Sequence, residues 1–304
     1  MSKGSIKVLN RCSELVLENT FFIGQVFNWD FRAQDHVVGT LGDKLLELKV
    51  YPDAIEWVLT PSGTQEEVQQ YLNLDVSLQG LLVKWRSDKL FDSLYKSQPG
   101  VRILKQPIFE CLISFICSQN SNVKRIASNI QSLKQRYGKR IGFKFNTTYY
   151  SFPTVFELSS ASQDVLETLG LGYRAKYVVS TVEKILHNGS EPWLESLKDK
   201  STEDVRNELL KFEGIGPKVA DCILLFAFNR FEVVPIDTHM WKIAKQHYGA
   251  PNTKTVSGKV YRKTSEAFFN VFGEYAGWAH SILFAASLKK EIPQGKTGKK
   301  PRKN

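Results

Sequence analysis

The sequence predicts an α+β protein: an antiparallel-sheet domain over residues 1–105, an all-α region over residues 106–288 and a basic tail over residues 289–304. Three observations predict it. Val37–Lys49 and Ala54–Thr60 alternate apolar and polar residues with the period of a strand. From Pro107 onward the apolar residues run in long blocks or recur at helical spacing. Two of these helical blocks are joined by Gly214-Ile215-Gly216-Pro217, a spacing that reads as helix, short hairpin, helix.

In chain order, residues 1–10 are short and polar and are expected to be loose. Turns at Gly39–Gly42 and Tyr51-Pro52-Asp53 punctuate the strand-like runs, and Val68–Leu72 and Leu78–Trp85 follow as helices. Gln25, Phe27 and Trp29 alternate on one face of an early extended segment, where the two aromatics fit core packing. Ile108–Ser118 is apolar enough for a buried helix; the amides and hydroxyls of 118–122 break it, and Val123–Tyr137 resumes. Residues 149–153 read as a loop, Thr154–Leu158 and Gln163–Leu169 as short helices, and Gly170-Leu171-Gly172 as a reversal before a helix through Leu186. His187–Pro192 reads as a loop and 193–201 as a connector. Gly249–Ser257 is a polar loop, and Val260–Phe272 and Ala276–Leu288 are helices.

The hairpin carries the chemistry. Thr202–Lys211 shows the stripe Val205, Leu209, Leu210, and Lys218–Phe228 is an apolar run of helical length. The two glycines permit positive φ and a tight reversal. Free N–H groups at the start of the second helix suit a phosphate, and such a contact reads no base. A plain helix–turn–helix corner explains the same residues equally well. Lys218, at the start of that helix, is either a solvated phosphate contact or a nucleophile, and only a neutral amine attacks carbon. Asp237 lies nineteen positions beyond Lys218, at the head of another helix where it or Thr238 is the cap. Beside Lys218, that carboxylate could also steady positive charge on a sugar ring.

Composition narrows the class. The 304 residues are 42% hydrophobic and 24% charged, as in an ordinary globular protein, and no apolar run reaches membrane-spanning length. The formal net charge of +10 fits a polyanionic partner. Residues 289–304 hold seven Lys and Arg against one Glu, which puts +6 of the +10 in the tail. The body must therefore bind through placed groups more than through bulk field. Cys12, Cys111, Cys117 and Cys222 are too scattered for a zinc site or a disulfide framework, so a reducing compartment is expected.

Glu213–Cys222 (EGIGPKVADC) with Val234–Trp241 (VPIDTHMW) resembles the helix–hairpin–helix, Gly/Pro-rich loop and aspartate signature of DNA base-excision glycosylases. Gly24–Trp29 (GQVFNW), Cys111–Arg125 (CLISFICSQNSNVKR) and Leu169–Tyr177 (LGLGYRAKY) narrow the resemblance to the eukaryotic type of 8-oxoguanine DNA glycosylase/lyase, in order from about Leu15 to Leu288. It implies a TBP-like N-terminal α+β domain and an enzyme that removes a damaged guanine opposite cytosine. The strand is then nicked by β-elimination through a lysine Schiff base, with no metal or organic cofactor. The implied partner is damaged double-stranded DNA, bound by a monomer away from any membrane.

The resemblance also implies roles. Lys218 is the nucleophile and Asp237 the stabiliser of developing charge. Gly24 offers its carbonyl to the N7 hydrogen of 8-oxoguanine, which guanine lacks, while Cys222 and Phe284 flank the base and His280 meets its Watson–Crick edge. Asn120 fills the vacated gap, Arg125 and Arg174 read the orphaned cytosine, and Tyr173 is the wedge. Gly214, Ile215 and Gly216 grip the backbone, and His239 lies near the lesion phosphate. His280 departs from a usual glutamine, Ser287 from an aspartate, Gln119 and Ser121 from asparagines, and Val26 and Asn28 from Ser and Arg. His280 and Ser287 open the lesion range, including ring-opened purines, and Gln119 and Ser121 the opposite-base stringency, while Val26 and Asn28 are expected to matter little for the Gly24 carbonyl. Two rivals remain: a water-using glycosylase of the alkylated-base kind, which would lack Lys218, and a non-catalytic DNA-binding module, which would need neither Lys218 nor Asp237. Lys299–Lys303 (KKPRK) reads as a nuclear import signal or a DNA tether, so the nucleus is expected, with the mitochondrion as the alternative.

Overall fold

A computed structural model describes residues 1–7, 14–253 and 255–288. The expectations for Cys12 and for the basic tail fall outside the described residues. The chain forms an N-terminal antiparallel sheet followed by helices, the α+β class expected.

The sheet comprises β1 (Ser2–Lys7), β2 (Trp29–Ala33), β3 (His36–Leu41), β4 (Lys44–Val50) and β5 (Ala54–Thr60), in the order β1-β5-β4-β3-β2. Leu46, Leu48, Ile55, Trp57 and Leu59 face one core, shared with Phe21 of α1 (Leu17–Phe21) and with Val68 and Tyr71 of α2 (Gln65–Tyr71). Trp29 belongs here as well, and its indole N–H donates to the Tyr71 hydroxyl at 3.0 Å.

Two expectations are corrected in this region. Ser2–Lys7 is an edge strand, antiparallel to β5, with Ile6 buried. Both faces of β4 are covered, because a hairpin of β6 (Arg140–Lys144) and β7 (Thr147–Tyr150) lays Tyr149 and Ile141 against Val38 and Leu45. Residues 149 and 150, at the end of β7, are therefore strand where a loop was expected.

The larger core belongs to the helices: α3 (Leu78–Trp85), α4 (Lys89–Tyr95), α5 (Ile108–Cys117), α6 (Val123–Tyr137), α7 (Val155–Leu158), α8 (Gln163–Thr168), α9 (Arg174–His187), α10 (Ser190–Ser196), α11 (Thr202–Leu210), α12 (Pro217–Phe226), α13 (Thr238–His247), α14 (Gly258–Phe272) and α15 (Ala276–Leu288). Helix α10 replaces the middle of the expected loop and connector; Pro192 falls in its first turn, where its missing N–H costs nothing. Helices α3 and α4 precede residue 106 yet pack in this core, with the Trp85 indole donating to the Phe272 carbonyl at 3.2 Å.

Buried polar groups tie the two cores together. The Arg102 guanidinium bonds the carbonyls of Leu72, Asn73 and Val76, meets the Glu14 carboxylate at 2.8 Å, and lies 5.2 Å from the centre of a Trp278 ring on α15. Glu110 of α5 accepts from Asn28 at 2.6 Å, and Lys134 of α6 donates to Thr40 of β3 at 2.6 Å. Burial pushes the Glu110 carboxyl up, while the charge of Lys134 opposes that shift. Such groups are tolerated inside only when partnered.

Candidate active site

The hairpin rests on α11 and α12. Phe212 and Ile215 are buried, and the Ile215 N–H donates to the Phe212 carbonyl at 3.2 Å. Gly214 has φ +82°, and a Cβ there would lie 2.5 Å from the Tyr177 ring. Gly216 is different: its φ is −98°, so only one of the two glycines uses the left-handed region. Gly216 caps α12 without a side chain, and Pro217 has no N–H to satisfy. The first N–H groups of the helix therefore point outward beside an open glycine.

Lys218 follows and is half-buried, with its Nζ 5.6 Å from the centre of the Phe115 ring. Cys222 lies one turn on and is buried. Burial pushes its thiol up to about 11, against the pull of Lys218, so it is a neutral wall at physiological pH. Asp221 fixes the rotation of α12. Its carboxylate accepts from Arg206 Nε at 2.9 Å and from the Tyr261 hydroxyl at 2.7 Å, and the Tyr261 oxygen accepts from the Ile236 N–H at 3.2 Å. One buried cluster thus orients both the Lys218 helix and the segment that enters Asp237. An aspartate inside the run KVADCILLFAF was the available signal, since a buried carboxylate requires partners.

Asp237, not Thr238, is the cap of α13, and its Oδ1 accepts from the Met240 N–H at 2.8 Å. Lys218, Asp237, Gly24, Cys222, His280 and Phe284 line one mainly apolar pocket enclosing a cavity of about 50 Å³. Gly24 has φ +86° and sits beside Val123 at the head of α6. His280 is buried and stacks on Phe284, with centroids 5.9 Å apart and planes at 11°. Burial first, and the Lys218 charge second, bring its imidazole down to about 3, so it is neutral, and its Nδ1 has no partner among the described residues. His239 is exposed and meets Phe284 edge-on at 6.4 Å.

A second cluster forms outside the pocket. Asn120 takes φ +46°, its amide donates to the Tyr173 hydroxyl at 3.2 Å, and that hydroxyl donates to the Gln119 carbonyl at 3.3 Å. Tyr173 is 48% exposed. Arg174, the expected second reader of the orphaned cytosine, is 2% exposed, and its guanidinium bonds the carbonyls of Leu171, Gln119 and Asn120. In this conformation it shapes the Gln119–Asn120 turn. Arg125 is exposed on the first turn of α6, which Asn122 caps by accepting its N–H at 3.0 Å. Among the described residues no group of three or more His, Cys, Asp or Glu could hold a metal ion, and no helix is long and apolar enough to cross a membrane.

Lys218 on the first turn of the hairpin helix and Asp237, which caps the next helix, line one pocket, the arrangement expected of a lysine-bearing helix–hairpin–helix glycosylase. Residues 113–268 match the model of the HhH-GPD superfamily of base excision DNA repair proteins, and residues 7–112 match that of the 8-oxoguanine DNA glycosylase N-terminal domain. The chain is 35% identical to the N-glycosylase/DNA lyase OGG1 of Arabidopsis thaliana, over 94% of this chain and 80% of that one. It is 35% identical to the N-glycosylase/DNA lyase of Saccharomyces cerevisiae, over 91% and 84%. The crystal structure of the Clostridium acetobutylicum 8-oxoguanine glycosylase/lyase, in complex with double-stranded DNA containing cytosine opposite 8-oxoguanine, superposes with a TM-score of 0.81 at 29% identity, covering 91% of this chain and 93% of that one. The chain belongs to the 8-oxoguanine DNA glycosylase family of the HhH-GPD superfamily.

Proposed function

We propose that the chain excises 8-oxoguanine, and ring-opened purines related to it, opposite cytosine in double-stranded DNA, and then nicks the abasic strand. The observation that carries this reading is the shared pocket of Lys218 and Asp237, walled by Cys222 and Phe284. The Lys218 amine attacks C1′ as the bond from C1′ to the base breaks and the base leaves with its electron pair. Asp237, held by its cap, stabilises the positive charge that develops on the sugar. The amine and the opened sugar then form a Schiff base. Loss of a C2′ proton expels the 3′ phosphate by β-elimination.

The flipped base is stacked between Phe284 and the neutral thiol of Cys222. His280 meets its Watson–Crick edge, and the Gly24 carbonyl accepts from N7–H. Guanine presents a lone pair at N7 and leaves that acceptor unpaired, which costs binding in a dry pocket. Tyr173 and Asn120 hold the helix open, with Arg174 setting their turn and Arg125 facing the orphaned cytosine. Residues 214–216 and His239 hold phosphates. The import-like KKPRK run supports a nuclear location; a fluorescent fusion compared with one ending at residue 288 tests it, and equal nuclear accumulation would contradict it.

The direct test incubates the protein with duplexes bearing 8-oxoguanine or guanine opposite cytosine and measures released base and cut strand. Release of 8-oxoguanine together with a β-elimination product is expected. Release without cutting would favour a water-using glycosylase, and binding alone a damage reader.

A further inference from the structure

Gly24 sits in a loop, residues 22–28, that belongs to no helix or strand. A glycine at φ +86° has little stiffness of its own, so the direction of its carbonyl must be set by its neighbours. Gln25 is 2% exposed and its side chain is almost fully committed. Nε2 donates to the carbonyls of Thr20, at 2.6 Å, and Arg102, at 2.8 Å, while Oε1 accepts from the Leu104 N–H at 3.0 Å. The Gln25 carbonyl accepts from Gln106 Nε2 at 2.7 Å. The Gln106 N–H in turn donates to the carbonyl of Phe226, at the end of the helix that carries Lys218. At the far side of the loop, Asn28 donates to the Thr40 carbonyl at 2.9 Å and to Glu110 at 2.6 Å.

We propose that Gln25 and Gln106 are positioning residues for base selectivity: their clamp holds the Gly24 carbonyl in register with the Lys218 helix. The inference rests on the reading of Gly24 as the acceptor that senses N7. A buried amide with both hydrogens used tolerates one placement of the loop, because any shift leaves donors and acceptors unpaired. Selection between a donor and a lone pair at N7 depends on that placement. Nicking of a preformed abasic site does not, since no base is present.

The test uses the full chain and two readouts. Affinity for 8-oxoguanine:cytosine and guanine:cytosine duplexes is measured in a Lys218→Gln background, with and without Gln25→Leu. Nicking of a preformed abasic site is measured with Lys218 intact. With Gln25 native, the 8-oxoguanine duplex binds at least about tenfold more tightly, the size expected of one well-placed buried hydrogen bond to a fixed acceptor. Gln25→Leu narrows that gap to within about threefold and leaves nicking within about threefold. An unchanged gap overturns the proposal, as does a loss of nicking that matches the loss of selectivity. No gap with Gln25 native would instead sink the Gly24 reading itself. Should Gln25→Leu fail to fold, Gln106→Leu, which removes only the donor to the Gln25 carbonyl, is judged by the same two readouts.

Discussion

Asp237 caps α13 and lines the pocket, and one substitution separates the two roles. Asparagine caps a helix about as well as aspartate, so Asp237→Asn changes folding stability by less than about 0.5 kcal/mol. The charge is lost, and single-turnover base release falls by about 10²–10³-fold, the range for removing one preorganised electrostatic group. Chemical denaturation beside a rapid-quench assay checks both. His280 gives a pH prediction. Its folded value of about 3 lies below the ordinary 6.5, so between those values the unfolded chain binds a proton that the native chain does not. Stability from this residue is present above about pH 6.5 and is lost as pH falls toward 3. His280→Gln therefore flattens the decline in melting temperature between pH 7 and pH 5, and an unchanged decline would assign it to other groups.

At the scale of elements, the two hairpin glycines do different work. Gly214→Ala forces a Cβ into the Tyr177 ring at a left-handed φ and costs more than about 1 kcal/mol. Gly216→Ala meets open space at an ordinary φ, so it stays within about 1 kcal/mol of the native chain while weakening DNA binding. Thermal melts and a binding titration on the same pair check this contrast. The elements that were legible in the sequence are those whose own residues decide them. Val123–Tyr137 and Ala276–Leu288 form as expected because their apolar spacing or continuous apolar run is unambiguous. β1 was missed because an edge strand buries little: Ile6 is its buried residue, and Gly4 serves the Trp57 ring opposite. The hairpin of β6 and β7 was missed because its partner, the outer face of β3 and β4, is a tertiary fact.

At the scale of the molecule, residues nearly two hundred positions apart, Gly24 and Lys218, share one pocket. Periodicity marked the hairpin and the capping aspartate, but only the resemblance brought Gly24, His280 and Phe284 to the same base. Of the polar groups around them, Gln25 and Asp221 lie inside resembled stretches that assign them no role, and Gln106 and Tyr261 lie in none. Charge is also a whole-molecule property. The tail holds +6 of the net +10, so a chain ending at residue 288 binds undamaged duplex more weakly. Each DNA phosphate that the tail neutralises adds about 0.9 to the steepness of log affinity against log salt, so the shortened chain has the shallower slope. Its single-turnover excision at saturating enzyme is unchanged, because the pocket is intact. A slope equal to that of the full chain would show that the tail does not touch DNA.

In the proposed reaction Lys218 forms the covalent intermediate. Borohydride reduces a Schiff base to a stable amine, so the native protein is incubated with an 8-oxoguanine:cytosine duplex and borohydride beside Lys218→Gln. A protein–DNA adduct with the native chain and none with Lys218→Gln is the predicted result. An adduct of equal yield in Lys218→Gln would place the nucleophile elsewhere and contradict the account.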